Sequence, residues 1–263
     1  MMRNVITLLL FFWAVLWGCE AKIHEPVGEG TRIVSLSPGI TNTIIHAGFE
    51  DLIVGRSAFC FHANSDLPVV GDLREIDFER LLLLDPTDVF VQLTASGVDA
   101  HLLELAEGGM FALHIYPIDR VEEIQHLYSE VNGLFSNETK SIELLRVEDS
   151  TLPSPVLVLT QGVGGNAGLC FGTQTYIDDI LQSVGVENAV AQEGWISLSL
   201  EDIGRLDPAL VIVVSDSEIT ESSLQLIRSL GFKVLPFVHE HVLVPSSYLA
   251  DVAEKIQTLN TSS

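Results

Sequence analysis

The sequence predicts an α/β protein with two parallel-sheet, Rossmann-like lobes, a helical connector between them and a ligand cleft where the lobes face each other. Short Val-, Ile- and Leu-rich runs alternate with segments of helical spacing, which is typical of parallel sheets covered by helices. One segment also occurs twice: "DFERLLLLDPTDVFVQ" (77–92) and "SLEDIGRLDPALVIVV" (199–214) align at an offset of 122 residues, as between Glu79 and Glu201 (201 − 79). A mainly helical stretch separates the two copies.

The first lobe is predicted to span residues 31–119. Its strands are "RIVSLSP", "LIVGRS", the short extended piece "LPVVGD", "DVFVQ" and "MFALHIYP". Its helices are "GITNTIIHAGF", "DFERLLLLDP" and "DAHLLELAEGG". Asp77 is the expected N-cap of the second helix, and Pro86 lies just beyond its end.

The second lobe is predicted to span residues 151–263 and to follow the same course. Its strands are "SPVLVLTQG", "ALVIVVS" and "FKVLPF", and its helices are "TQTYIDDILQSVG", "SLEDIGRLDP", "TESSLQLIRSLG" and a terminal helix from Tyr248 to Leu259. A further pair, "HAGFEDLIV" and "SVGVENAVA", aligns at an offset of 137 (185 − 48). The duplication therefore contains an insertion or a deletion between its two blocks.

The connector is predicted to span residues 120–150. Ile124, Leu127 and Val131 have helical spacing, Asn132 and Gly133 interrupt the pattern, and "ETKSIELLRVEDS" resumes it before Pro153. We therefore expect two helical pieces in the connector.

The composition indicates a globular protein and excludes some partners. Hydrophobic residues make up 47% of the 263 residues, and the formal net charge is −23 with only 13 basic residues. Nucleic acids and anionic membrane surfaces require basic patches, so we expect neither as a partner. The acidic excess is interpreted as a solvation device rather than as a binding site.

The N-terminus predicts an extracytoplasmic, lipid-anchored protein. The apolar run "VITLLLFFWAVLWGC" is too short to span a membrane. It ends in Leu16-Trp17-Gly18-Cys19, similar to a bacterial lipobox, so residues 1–18 are predicted to be a signal peptide, Cys19 the lipidated residue and 19–30 a tether. The alternative is a plain secretory signal or an uncleaved anchor. The other cysteines, Cys60 and Cys170, are expected to be buried thiols rather than a disulfide.

The order of motifs resembles a known family. The matching elements are "RIVSLSPGITNTI", "LPVVGD…DFERLLLLDPTDVFV", "GTQTYIDDILQSVGVENAV" and "WISLSLEDIGRLDPALVIVV", and together the resemblance covers nearly all of residues 31–259. They resemble the substrate-binding lipoproteins of ABC importers for ferric siderophores, haem and cobalamin. The resemblance implies that one lobe presents Glu79 and the other Glu201, each to an Arg pocket on one subunit of a permease dimer. The alternative role of either glutamate is to stabilise a helix N-terminus.

The ligand is expected in the cleft, because loops at the carboxyl ends of parallel strands line such sites. The predicted ligand-binding residues follow strands or precede the Glu201 helix. They are Phe59, Cys60, His62, Gln92, Asn166, Phe171, Trp195 and His241. Trp195 and Phe59 stand where the resemblance places aromatic ligand contacts in cobalamin binders, whereas Leu73 and Gln92 replace further aromatics.

The pair His239 and His241 leaves the ligand chemistry open. Two histidines at i and i+2 of an extended segment face one way, and imidazole is a common metal ligand. With His62 they suggest an alternative function as a metal-ion-binding protein. In the favoured interpretation His241 instead ligates haem iron, or hydrogen-bonds to the edge of a corrinoid or siderophore. The predicted loops lack an Arg cluster, which disfavours anionic catecholate siderophores.

We therefore expect a monomeric, non-catalytic receptor that binds an iron or cobalt chelate and passes it to an ABC permease. It would carry no cofactor or metal of its own. A secreted α/β enzyme remains an alternative, although the sequence contains neither a G-x-S-x-G elbow nor a phosphate loop.

Overall fold

The computed structural model describes residues 30–136, 140–145, 150–162 and 168–259. The predicted signal peptide, the lipidation site Cys19, the tether up to residue 29 and the predicted ligand contact Asn166 lie outside these ranges.

The first sheet has four parallel strands: β1 (Ile33–Ser35), β2 (Ile53–Arg56), β3 (Asp88–Gln92) and β4 (Ala112–Tyr116), in the order β2-β1-β3-β4. Three helices connect them, namely α1 (Pro38–His46), α2 (Phe78–Leu83) and α3 (Ala100–Glu107), with a short 3₁₀ turn at Glu50–Leu52. Pro38 suits the first turn of α1, because proline lacks the N–H that would be unpaired there. Four of the predicted strands form this sheet, whereas the short extended piece "LPVVGD" contributes isolated bridges, such as that between Val69 and Arg56, instead of a strand.

The second sheet has five strands: β5 (Val156–Thr160), β6 (Leu169–Phe171), β7 (Trp195–Ser197), β8 (Leu210–Ser215) and β9 (Val234–Val238), in the order β7-β6-β5-β8-β9. Its helices are α5 (Tyr176–Ser183), α6 (Leu200–Leu206), α7 (Glu221–Arg228) and α8 (Leu249–Gln257). Strands β5, β8 and β9 are parallel, as predicted. Strands β6 and β7 were not predicted, and they run antiparallel at the edge of the sheet.

Successive residues of the central strands pack into different hydrophobic cores. In β5, Val156 and Val158 face one core, whereas Leu157 and Leu159 face another, as the two-residue period of a strand requires. A similar alternation in β1 and β3 divides their side chains between the largest core and a smaller core formed within the first lobe alone. The largest core is shared by both sheets, and the helix after β4 packs into it.

The connector begins with helix α4 (Val121–Ser136). Asp179 of α5 fixes its start: it accepts hydrogen bonds from the Val121 amide and the Arg120 Nε, each 2.9 Å long. The predicted second helix is wrong for residues 140–145, which form no regular element. Gln125 Nε2 of α4 donates to the carbonyl of Ile142 over 2.9 Å, and Leu144 is buried, so this segment is held against the core in another conformation.

The duplicated helices α2 and α6 begin and end in the same way. Asp77 and Ser199 cap them as predicted, with side chains that accept from the amides of Arg80 and Asp202. Each helix is followed by an aspartate with φ of +46°, Asp85 or Asp207, and then by proline. The residue before proline is displaced from the right-handed helical region, and aspartate tolerates the left-handed one better than most residues.

Within the described ranges, the structure contains no helix that is both long and apolar enough to cross a membrane.

Candidate functional site

Loops from the two lobes meet at a pair of histidines. His62 follows β2 of the first sheet and His241 follows β9 of the second, and their ring centroids lie 4.9 Å apart. The Asn42 amide nitrogen of α1 lies 3.2 Å from His62 Nδ1 and orients this ring. Two of the predicted ligand residues therefore meet between the lobes, where the carboxyl ends of the parallel strands face each other.

A row of stacked rings continues from His241 into the first lobe. His241 stacks on Tyr248 at 4.2 Å between centroids, and Tyr248 stacks on His46 of α1 at 4.3 Å. His46 Nδ1 also lies 2.8 Å from the hydroxyl of Ser247. This row, which we call the ring row (His62, His241, Tyr248 and His46), joins the lobes through side chains more than 200 residues apart in some pairs.

Burial keeps part of the ring row uncharged. Burial is the largest contribution, and it lowers the pKa of His241. The negative charge of Glu240 opposes this shift, and repulsion from His62 and His239 adds to it. Burial likewise lowers the pKa of His46, against the opposing charge of Asp251. Neutral imidazole is the form that ligates a metal ion. The site therefore offers imidazole nitrogen near neutral pH.

His239 lies beside the ring row without completing a metal-binding cluster in the described part of the chain. His239 lies 5.8 Å from His241 between ring centroids, and its Nδ1 is 3.2 Å from the His241 amide. Among the described residues, no group of three or more His, Cys, Asp or Glu side chains is arranged to hold a metal ion. Three buried polar atoms of this region have no hydrogen-bond partner within the described part of the chain: His241 Nδ1, Asn42 Oδ1 and Ser246 Oγ.

Trp195 forms an aromatic surface on the second lobe. It begins β7, is 40% exposed, and packs on Phe171 with 4.1 Å between ring centroids. Tyr176 packs edge-on against Phe171 and donates a hydrogen bond of 2.9 Å to the carbonyl of Val242. Phe171 itself has no exposed surface. In this structure it holds Trp195 in place rather than facing the cleft.

Phe59 and Phe61 form the aromatic surface of the first lobe. They are 54% and 80% exposed, and their rings lie 6.5 Å apart at right angles. Phe59 borders a cavity of about 200 Å³ at the carboxyl ends of β1 and β2. Its lining residues are Leu36, Pro38, Ser57, Phe59, Asp72, Leu73 and Arg74. Arg74 was not among the predicted site residues, because an isolated arginine in a turn carries no recognisable pattern.

Cys60 is a buried thiol, as expected, and like Gln92 it exposes less surface than a residue predicted to contact the ligand would. Cys60 has no exposed surface, and its sulfur is 3.1 Å from the hydroxyl of Thr41. Burial raises the pKa of its thiol, as it raises that of Cys170 to about 12. Both thiols are free and buried. Gln92 is half-buried and accepts a hydrogen bond of 3.2 Å from Ser37, so it orders the loop after β1.

Glu79 and Glu201 are exposed in the first turns of α2 and α6. Arg205, one turn further along α6, lies 2.6 Å from the carboxylate of Glu201. Leu83 occupies the corresponding place on α2 (205 − 122) and is 78% exposed. The two glutamates therefore have equivalent positions and different neighbours.

The family model for periplasmic binding proteins matches residues 33–244, most of the chain. The chain belongs to the periplasmic binding protein family. Its fold is that of solved members of this family. A periplasmic haem-binding protein from Pseudomonas aeruginosa is 18% identical, with a TM-score of 0.64 over 86% of this chain and 91% of that chain.

Two further structures have the same fold. The periplasmic vitamin B12 binding protein of Vibrio cholerae is 16% identical, with a TM-score of 0.63 over 86% of this chain and 95% of that one. The siderophore-binding protein of Vibrio cholerae, solved with Fe3+ and Desferal, is 15% identical, with a TM-score of 0.66 over 89% and 99% of the two chains. No curated protein sequence matches the chain significantly.

The family assignment bears on the enzyme alternative and on the location. Its members bind ligands and are not enzymes, so the enzyme interpretation is rejected. It also implies that this periplasmic binding protein works outside the cytoplasm.

Proposed function

We propose that this protein is the substrate-binding component of an ABC importer that captures an iron or cobalt chelate, with haem as the first candidate. It would be anchored to the membrane through a lipid on Cys19 and would pass the chelate to a permease dimer. The observation that supports this proposal best is the contact between His62 and His241, which brings one imidazole from each lobe to the cleft.

The chemistry around the two imidazoles suits a flat, largely apolar chelate. Trp195 on one lobe and Phe59 on the other expose aromatic surface, which binds a macrocycle through burial and stacking. His241 is kept neutral by burial and can donate a nitrogen to iron. Cobalamin and haem share this need for a broad apolar face, and the histidines favour haem.

Docking to the permease is assigned to Glu79 and Glu201. Both are exposed, they occupy matching positions on the duplicated helices, and a carboxylate on each lobe suits a partner with two similar cationic sites. Exposed ion pairs of this kind contribute more to orientation and encounter rate than to affinity.

The first experiment titrates the purified protein with haem, cobalamin and a ferric hydroxamate, and records spectra and melting temperatures. A ligand that binds only the folded state raises the melting temperature. We expect haem to give a Soret band and to raise the melting temperature. Substitution of His241 by alanine should weaken haem binding by about tenfold or more, the loss expected for a removed ligand interaction of roughly 1.4 kcal/mol or more.

His101→Ala is the matched control, because this exposed histidine lies on α3, where it pairs with Glu104 and packs edge-on against Phe78. It should bind haem like the wild type. A shift with cobalamin alone would assign the protein to corrinoids. If none of the three compounds raises the melting temperature, the chelate-receptor function is contradicted.

A further inference from the structure

The two exposed glutamates, Glu79 and Glu201, differ in their ion-pair partners within the protein. On α6, Arg205 Nη2 lies 2.6 Å from Glu201 Oε1, and Arg205 Nη1 lies 3.2 Å from Asp202 Oδ1. Arg205 therefore forms ion pairs with two carboxylates of its own helix. Glu201 meets any partner as half of an internal ion pair.

Glu79 differs in having no such counterion among the described residues. Within the described part of the chain, its carboxylate makes no hydrogen bond or ion pair, and its neighbour Arg80 is engaged by Asp77 and by the carbonyl of Val69 over 2.8 Å. The position one turn further holds Leu83 instead of arginine. Leu82 and Leu83 are 36% and 78% exposed, so an apolar surface lies beside the free carboxylate.

From these differences we infer that the two lobes dock unequally, with Glu79 and Leu83 forming the principal contact with the cationic extracytoplasmic face of the permease, and Arg205 restraining Glu201. This inference rests on the docking function proposed above. A cationic group of the permease can pair with the carboxylate of Glu79 directly while the permease surface covers Leu83. At the other lobe it must first displace Arg205, and it meets a like charge there.

The expected size of the effect follows from the nature of the pair. Arg205 and Glu201 are 68% and 76% exposed, and such pairs are screened and weak. Removing Arg205 should therefore strengthen docking by about two- to five-fold, the range that corresponds to the usual strength of an exposed ion pair. Larger effects would require a buried pair.

Photo-crosslinking in native membranes tests this inference directly. The photoreactive residue p-benzoylphenylalanine is introduced in place of Leu83 on α2 or of Gly204 on α6, in the full-length protein produced by its own strain. Gly204 tolerates a side chain, because a Cβ built there meets no atom within 4 Å. The measured quantity is the initial yield of adducts with permease subunits, identified by mass spectrometry, at a limiting amount of the binding protein.

Each probe is combined with Glu79→Gln, Glu201→Gln or Arg205→Gln. Glu79→Gln should reduce the adduct yield about two- to five-fold more than Glu201→Gln does, and Arg205→Gln should raise it about two- to five-fold. Arg228→Gln is the matched control. It removes the same charge from an exposed pair on α7, where Arg228 lies 2.7 Å from Glu221, and it should leave the yield unchanged.

The outcomes separate the two proposals. Equal losses for Glu79→Gln and Glu201→Gln, or no increase with Arg205→Gln, would overturn the unequal docking while leaving the docking function standing. A decrease with Arg205→Gln would also overturn it, since Arg205 would then be a contact itself. The absence of a permease adduct at both positions would contradict the docking function as a whole, whatever the haem titration gives.

Discussion

The two lobes share a framework and differ in where each has added residues. In the first lobe the long segment lies between β2 and α2 and contains Phe59, Cys60 and His62. In the second lobe it lies between β5 and α5 and contributes β6. An insertion before α5 followed by a compensating shortening before α6 explains why the sequence repeats at two offsets, 137 and then 122. Three parallel strands are common to the two sheets, β1, β3 and β4 in the first and β5, β8 and β9 in the second, whereas the remaining strands and the loops beside the cleft differ.

The same difference separates the two aromatic surfaces. Trp195 rests on Phe171 and Tyr176, both fully buried, so the second lobe holds its aromatic ring on a rigid support. The ring beside Phe59 is another exposed one, Phe61. Aromatic contacts of the first lobe are therefore free to adjust to a ligand, whereas those of the second are preorganised.

The largest effect is expected when both docking carboxylates are reversed. Glu79→Lys combined with Glu201→Lys should abolish haem uptake by the producing strain, because two attractive contacts become repulsive, and should leave haem affinity unchanged. Uptake of labelled haem and a spectral titration measure the two quantities. The control is Glu107→Lys with Glu254→Lys, which makes the same charge change at exposed sites, one on each lobe. Unchanged uptake in the first pair would show that the lobes do not dock through these helices.

The support of Trp195 provides the next prediction. Phe171→Ala should lower the free energy of unfolding by about 3–5 kcal/mol, because it leaves a cavity under a well-packed ring. Phe61→Ala should change it by less than about 0.5 kcal/mol, because that ring is exposed. Chemical denaturation measures both. Comparable losses in the two variants would contradict the distinction between a rigid and an adjustable aromatic surface.

The twin aspartates test whether the lobes remain equivalent where they look alike. Asp85→Leu and Asp207→Leu should each cost about 1–2 kcal/mol of stability, because leucine is strained at the φ of +46° that both positions adopt. Asp85→Gly and Asp207→Gly should show no such strain. In the first lobe, Arg32 also donates to the carbonyls of Leu84 and Asp85 over 2.7–3.2 Å. A loss at one position only would show that the helix ends have diverged.

The smallest effect is expected at the joint between the lobes and depends on pH. The folded protein lowers the pKa of His46, His239 and His241, so the unfolded chain takes up protons first as the pH falls. The three histidines therefore contribute to the free energy of unfolding fully when the pH is above their ordinary pKa of 6.5. This contribution is lost as the pH falls below 6.5 towards the lowered pKa values.

The melting temperature, recorded from pH 7.5 to 5.0, should therefore fall less steeply in His46→Gln/His241→Gln than in the wild type. Glu50, Glu240, Asp251 and Lys255 also face this joint, and their charges are the same in both proteins. His101→Gln on α3 should follow the wild type. If the slopes of all three proteins are equal, the joint contributes nothing to the pH dependence.

Local patterns predicted most of the framework, and long-range contacts decided what could not be predicted. Helix α2 could be located because Asp77 caps it and Pro86 follows it, and β8 because six consecutive residues suit a buried strand. Strand β6 has three residues and exists through pairing with β5 and β7, so its own sequence carries almost no signal.

The candidate site was predicted in outline only. His62, His241 and Trp195 could be proposed because they follow strands or precede a duplicated helix. The partnership of His46 with Ser247 joins residues 201 positions apart, and no local pattern predicts it. The burial of Phe171 likewise depends on how distant segments pack over it.

The core shared by both sheets has a consequence for how the protein unfolds. Ile33 and Phe90 of the first sheet, Leu127 of α4, and Val158 and Ile212 of the second sheet all belong to it. Neither half can lose its fold without exposing apolar surface of the other. Although the architecture is a duplication, calorimetry should therefore record one cooperative transition, and a half expressed alone should fail to fold.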